Sequence, residues 1–261
     1  MRRFYQESWH GIPFTRISHL SFFRLAGSKF YSTFYEELFR RYANWDALPQ
    51  QWRETKKIDA RWLILRLADI EARRVDRDKP LRVLSIGSGV GYMEKILVDE
   101  MPGLELYVNE PSTVGLKWLR CCVAADRIYI GRPPLCLPSD VYYDMIYLSA
   151  VDYGISSREF GYLLGELRAQ LIPGGELVCL SASLLEEDSF IGSLVNWLKI
   201  CIRAVLHYSG VRRQQFWGWR RTRREYGLLL SQAGFCEISD GWLDDGLNTY
   251  WIAGRQANSD A

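Results

Sequence analysis

Three histidines and no C-x-x-C pair occur in 261 residues. That scarcity leaves few ligand sets for a zinc ion, and no metal is expected. The six cysteines, at 121, 122, 136, 179, 201 and 236, lack the spacing of a disulfide framework, which fits a reducing, cytoplasmic setting. The opening Met1-Arg2-Arg3-Phe4-Tyr5 lacks the apolar core of a secretory leader. No uninterrupted apolar run reaches the roughly 20 residues that cross a bilayer. Charge of one sign is scarce too. The net charge is +2, and by itself it says nothing about a polyanionic partner. What the chain has is apolar bulk: 48% hydrophobic residues, 14% aromatic, with ten tryptophans. That content is ample for a core. The aromatics are either core filling or the lining of a pocket or surface that handles rings, sugars or lipid headgroups.

The most informative stretch runs from Leu81 to Glu110. Leu81-Arg82-Val83-Leu84-Ser85-Ile86 reads as a buried parallel strand. Gly87-Ser88-Gly89-Val90-Gly91 follows, then helical spacing through Met93, Ile96 and Leu97, a stop at Pro102-Gly103, and a second strand ending in Asn109-Glu110. Glycines at a strand-to-helix turn let a ligand approach the backbone, and the helix start offers free N–H groups. An acidic residue at the end of the next strand can accept both hydroxyls of a ribose. A dinucleotide fingerprint needs its third glycine at position 92, where Tyr92 stands.

The G-x-G-x-G spacing resembles motif I of the class I S-adenosylmethionine (SAM) methyltransferases. A second match lies downstream, where Leu171-Ile172-Pro173-Gly174-Gly175-Glu176-Leu177 resembles the family's L-x-P-G-G-x-L post-motif. The resemblance covers about residues 80–255. It implies an α/β fold, a doubly wound seven-stranded Rossmann-like sheet whose last two strands form an antiparallel pair. It also implies SAM as cofactor, with Ser85, Gly87, Ser88, Gly89, Gly91, Glu110, Pro111, Arg132 and Ser149 around it and Glu110 on the ribose. The sequence departs from the family pattern at two of these positions. Ser85 replaces the usual leading acidic residue of motif I, and Arg132 stands where an acidic residue commonly lies beside the adenine.

Residues 1–79 are expected to form an N-terminal helical cap, irregular to about residue 18, then helical over 18–42 and 52–74. Residues 80–255 form the methyltransferase-like domain, and 256–261 a polar tail. Within the domain, 184–224 is longer than the family core and reads as a helical lid inserted before the last two strands. Its 190–208 portion places Ile191, Leu194, Val195, Leu198, Ile202 and Val205 on one face and Ser193, Asn196, Lys199, Arg203 and His207 on a polar stripe. Arg212 to Arg224 then holds six arginines and three aromatics. That mixture suits phosphorylated sugars, nucleic acid or an anionic lipid surface, and equally a solvated loop. Thr222 and Glu225 spell a capping box at the start of a final helix.

Methyl transfer from a sulfonium is an in-line displacement, so acceptor positioning matters most, with a general base for an oxygen acceptor. Asp152, just beyond the fourth strand, is the first choice of base and His207 the second. Arg220, Arg221, Trp217 and Trp219, together with Arg212 and Arg213, are the expected contacts to an anionic acceptor or its carrier. The reading is O-methylation of a sugar or other small polar or anionic metabolite, free or carried on a lipid or polymer, with peripheral contact to an anionic surface. The alternatives are a nucleic-acid methyltransferase and a SAM-binding, inactive partner subunit. Ser149-Ala150-Val151-Asp152 stands where a nucleic-acid enzyme would carry an N-P-P-Y-like motif, which argues against the former.

Overall fold

The computed structural model describes residues 2–6, 8–13, 28–74, 76, 78–180, 184–185, 194–195, 197–199, 201–202, 205–206, 209–210, 215–244, 246 and 248–256. Its frame is a seven-stranded sheet. Four parallel strands come first: β4 (Arg82–Ile86), β5 (Glu105–Glu110), β6 (Ile128–Ile130) and β7 (Tyr143–Ser149). β8 (Leu171–Leu180) joins them in parallel, while β12 (Thr249–Gly254) runs antiparallel between β8 and β11 (Cys236–Trp242). The spatial order is β11-β12-β8-β7-β4-β5-β6. The side on which the chain adds successive strands switches between β4 and β7, and in open sheets that switch point is where ligands bind, beyond the carboxyl ends of the strands.

The central strands are apolar on both faces, as burial between helix layers requires. Val83, Val108, Met145, Tyr147 and Val178 face α2 (Gln50–Arg73), α3 (Tyr92–Glu100) and α4 (Leu116–Leu119) through Leu63, Leu67, Leu97 and Leu119. Leu84, Ile86, Ile146, Leu148 and Leu177 face α5 (Ser157–Ala169) and α6 (Arg223–Gln232) through Phe160, Leu164, Leu167 and Tyr226. Consecutive residues such as Val83 and Leu84 divide between the two cores because strand side chains alternate faces. The helix starts are set locally. Ser156 accepts the Glu159 N–H at the start of α5, and Thr222 and Glu225 form the full capping box of α6.

Two local expectations change. Residues 2–6, read as irregular, form strand β1 (Arg2–Gln6), which pairs antiparallel with β10 (Gln215–Thr222). The lid is therefore not wholly helical. Its arginine-rich end is a strand, which also runs parallel to β9 (Leu184–Leu185). After β5 the chain forms only the short α4, because Gly115 and the β-branched Thr113 and Val114 give its start little helical propensity. The Pro173-Gly174-Gly175 of the post-motif lies inside β8. There the pairing with β7 shifts register, and the Gly174 N–H bonds to the Arg255 carbonyl at 3.0 Å. Before the sheet come a hairpin of β2 (Ser8–Trp9) and β3 (Ile12–Pro13), α1 (Ser28–Arg41) and α2. Ile12, Phe30, Phe34 and Leu38 pack with Val90, Tyr92 and Trp118 in a third cluster, which fastens this segment onto the glycine turn.

Candidate active site

The turn between β4 and α3 opens onto a cavity of about 990 Å³ at the carboxyl edge of the sheet. Gly89 has φ of 63°, and a Cβ built on it would meet nothing nearer than the Tyr35 hydroxyl at 3.7 Å. A side chain there would stand in the cavity. Gly91 is different. It caps α3 at φ 74° but does not line the cavity, and a Cβ would come within 2.5 Å of Leu119 Cδ1. Its role is helix packing, a correction to its placement among the cofactor contacts.

Glu110 ends β5 and is 1% exposed. Its carboxylate accepts the Gly89 N–H at 3.0 Å and the Ser112 N–H at 3.1 Å, and the Tyr35 hydroxyl bonds to it as well. Burial outweighs these donors and pushes the carboxyl up to about 8. Ser85, Gly87, Ser88, Pro111, Arg132 and Ser149 also line the cavity. Arg132 stands at its exposed rim, 3.5 Å from Glu159.

The acidic residue missing at position 85 comes from elsewhere. Glu94, in the first turn of α3, reaches back under β4. Its Oε1 accepts the Ser85 hydroxyl at 2.6 Å and the Tyr147 hydroxyl at 2.7 Å, while Oε2 is buried without a partner. Desolvation raises its pKa. A half-satisfied buried carboxylate on a cavity wall suits a cationic ligand group. Ser149, at the end of β7, is held by a buried pair from α2: Lys56 Nζ bonds to its oxygen at 2.6 Å and to Asp59 Oδ2 at 2.7 Å. Together, the open space over Gly89 and the carboxylates of Glu110 and Glu94 fit a ligand with a ribose and an ammonium group, as SAM has.

The fold has counterparts among solved structures. A candidate O-methyltransferase from Nostoc punctiforme superposes with a TM-score of 0.59 at 15% identity, over 91% of this chain and 63% of that one. Magnesium protoporphyrin IX methyltransferase from Synechocystis, with bound S-adenosylhomocysteine, superposes at 0.54 and 16% identity, over 87% and 96%. The chain has the class I SAM-dependent methyltransferase fold. It spans only 55% and 48% of two further neighbours, the pyocyanin biosynthetic protein PhzM and human N-acetylserotonin methyltransferase. The sequence matches no protein-family model and no curated protein sequence.

Within this methyltransferase fold the expected acceptor residues move. Asp152 is 2% exposed and does not line the cavity, although Val151 and Tyr153 on either side of it do. Its carboxylate lies 3.8 Å from the guanidinium of Arg221, which is fully buried. Arg221 donates to the backbone carbonyls of Asp152 (2.8 Å) and Ile155 and to the Ser157 hydroxyl (3.1 Å), and it lies over the Phe160 ring. Both residues staple the loop after β7, so neither is placed to touch an acceptor. Arg220 is exposed on β10, opposite Arg2, and Trp219 pairs with Arg3; neither lines the cavity. Trp217 lies on the same strand. His207, Arg212 and Arg213 fall outside the described residues.

In their place the cavity is roofed by the N-terminal segment. Trp9, His10, Tyr31, Tyr35, Trp52 and Lys56 all line it. His10 and Gly11 are the two central residues of the β2–β3 hairpin, with φ of 50° and 69°. A two-residue turn with both φ positive is the type I′ geometry that suits a β-hairpin. The Tyr42 hydroxyl fixes the turn by donating to the His10 carbonyl at 2.9 Å. The imidazole stacks on Trp9 at 5.1 Å and meets Trp52 edge-on at 4.6 Å, and its Nδ1 is buried without a partner. Burial and then the Lys56 charge lower its pKa to about 3, so it is neutral at physiological pH. Sequence reasoning missed this residue, whose one local signal is Gly11 after it, a turn-forming residue.

Proposed function

We propose that the chain is a SAM-dependent methyltransferase acting on a hydroxyl oxygen of a small acceptor held under the N-terminal roof. The observation that carries this reading is Glu110. It is a buried carboxylate at the end of β5, tied to the glycine turn and facing a cavity at the switch point. When bound, SAM supplies an electrophilic methyl group on a sulfonium. The chain's own residues do the rest. Glu110 would accept the ribose hydroxyls, Glu94 Oε2 would take the ammonium group, and the glycine turn would keep the backbone within reach. On the acceptor side, neutral His10 accepts the hydroxyl proton as the oxygen gains its methyl, and the proton leaves through the cavity mouth. The roof of Trp9, Trp52 and Tyr31 excludes water from that step.

The aromatic lining and the cationic Lys56, Arg132 and Arg158 support a compact acceptor that has both a ring and polar or anionic groups. Roofing by the hairpin and α1 supports a small molecule over a nucleic-acid strand. A sugar or a lipid-carried headgroup fits the same description. Calorimetric titration with SAM and S-adenosylhomocysteine tests the cofactor half. A screen of hydroxyl acceptors with methyl-labelled SAM tests the other. Binding without transfer to any acceptor would favour an inactive SAM-binding subunit, and no binding of either ligand would remove the reading.

A further inference from the structure

The stretch between β9 and β10 carries a feature that the cavity does not use. Among its described helical residues, Leu194, Val195, Trp197, Leu198, Ile202 and Val205 are each between 43% and 67% exposed. On an ideal helix of about 100° per residue these six fall within an arc of about 160°. Lys199, also exposed, borders that arc. Soluble domains rarely leave so many large apolar side chains in water along one face.

Charge identifies the occupant. Between Asp188 and Glu225 the sequence holds no acidic residue and eight basic ones: Lys199, Arg203, Arg212, Arg213, Arg220, Arg221, Arg223 and Arg224. The chain as a whole has a net charge of only +2. A second copy of the same segment would bring two basic surfaces together. A nucleic acid would neutralise the arginines and leave the apolar arc in water. An anionic bilayer surface satisfies both, with the arc in the acyl boundary and the basic residues other than the buried Arg221 among the headgroups. Lys199 and Arg203 within the segment disfavour a spanning orientation and favour one along the surface.

We propose that this segment docks the protein on anionic lipid, its helix lying in the interfacial plane. The placement also reaches the cavity. β10 emerges from this segment, and its Arg221 is bonded to the loop whose Tyr153, Gly154 and Ile155 line the cavity wall. Docking therefore sets the cavity beside the lipid surface. The inference does not depend on the methyl-transfer reading.

The test is co-sedimentation of the full chain with vesicles of phosphatidylcholine alone and of phosphatidylcholine mixed with phosphatidylglycerol. The expected result is preferential binding to the anionic vesicles, weakening as salt is raised. Leu198→Glu with Ile202→Glu should reduce the bound fraction at least about tenfold, since each places a charge where an apolar side chain was buried in lipid. Lys199→Glu should reduce it by a smaller factor. Both positions are solvent-exposed, so unchanged circular dichroism and melting temperature are expected and separate lost docking from unfolding. Three results would overturn the proposal: no vesicle binding by the native chain, binding indifferent to these variants, or a dimer in light scattering that the double variant dissociates. The last would assign the arc to a second copy.

Discussion

The cavity has two walls of different origin. The sheet wall, from β4, β5 and β7, is made of short-range devices: a glycine turn, a carboxylate at a strand end, a helix start. The N-terminal wall, from the β2–β3 hairpin, α1 and α2, is made of long-range ones. Lys56 meets Ser149 across 93 residues of sequence, and Tyr42 holds His10 across 32. The sheet wall fits features common to any SAM molecule, whereas the roof, apart from Tyr35 on Glu110 and Lys56 on Ser149, presents side chains left for the acceptor. The difference teaches where specificity resides: a ligand shared by many enzymes is met by backbone geometry, and a particular acceptor by side chains brought from afar. Substitutions on each wall should therefore separate cofactor binding from transfer.

The largest separation should come from Gly89→Val. The branched side chain would project into the cavity at φ 63°, a conformation such residues strongly avoid. SAM binding should vanish in calorimetry while circular dichroism keeps the native sheet. Retained binding in a folded variant would reduce the glycine turn to a structural corner.

His10→Asn tests the opposite wall. Asparagine tolerates positive φ, so the hairpin should persist, but the imidazole acceptor is gone. The expected result is a loss of kcat on the order of 10²-fold with SAM affinity unchanged, the low end for general-base assistance. The native rate at saturating SAM should not fall as pH drops through 6.5, because the imidazole stays neutral down to about 3. A rate that titrates near 6.5, or a variant with native kcat, would remove His10 from the transfer step.

Glu110→Ala should cost at least about tenfold in SAM affinity, the value of charge-assisted hydrogen bonds. A pH signature accompanies it. Below about 8 the buried carboxyl of the ligand-free protein is protonated, whereas the ribose hydroxyls bond best to its ionised form. Binding therefore releases a proton, and affinity should rise with pH up to about 8 and then level. Stability moves the other way. With its folded pKa raised above the ordinary 4.5, this group favours folding at low pH and loses that contribution between 4.5 and 8. Glu110→Gln should flatten both slopes, as read by calorimetry and thermal melts across that window.

These two walls also differ in how far the sequence reveals them. Glu110, the glycine turn and the Thr222–Glu225 box were readable because each is defined by residues close in the chain. Ser85 looked like a lost acidic residue because its replacement, Glu94, belongs to the next helix and reaches back through a side-chain bond that no strand pattern encodes. Asp152 was rightly placed at the sheet edge, but position does not give direction, and its side chain turns away toward Arg221. The run Arg220-Arg221 illustrates the same limit. Charge count treats the two alike, while strand alternation puts one in water and buries the other completely.

That alternation yields the smallest expected effect. Arg220 is exposed on β10, its strand neighbour is Arg2, and it does not line the cavity. Reversing its charge should therefore change SAM affinity and the kcat/KM for a soluble acceptor by less than about twofold, since exposed charges are screened within about 10 Å at 0.1 M salt. The same variant should still weaken binding to anionic vesicles, because there the charge meets a surface rather than a buried ligand. Steady-state kinetics in solution and vesicle sedimentation, run on one preparation, check both halves. A large loss of kcat/KM in solution, with SAM affinity intact, would return β10 to the acceptor site and erase the division between roof and lid.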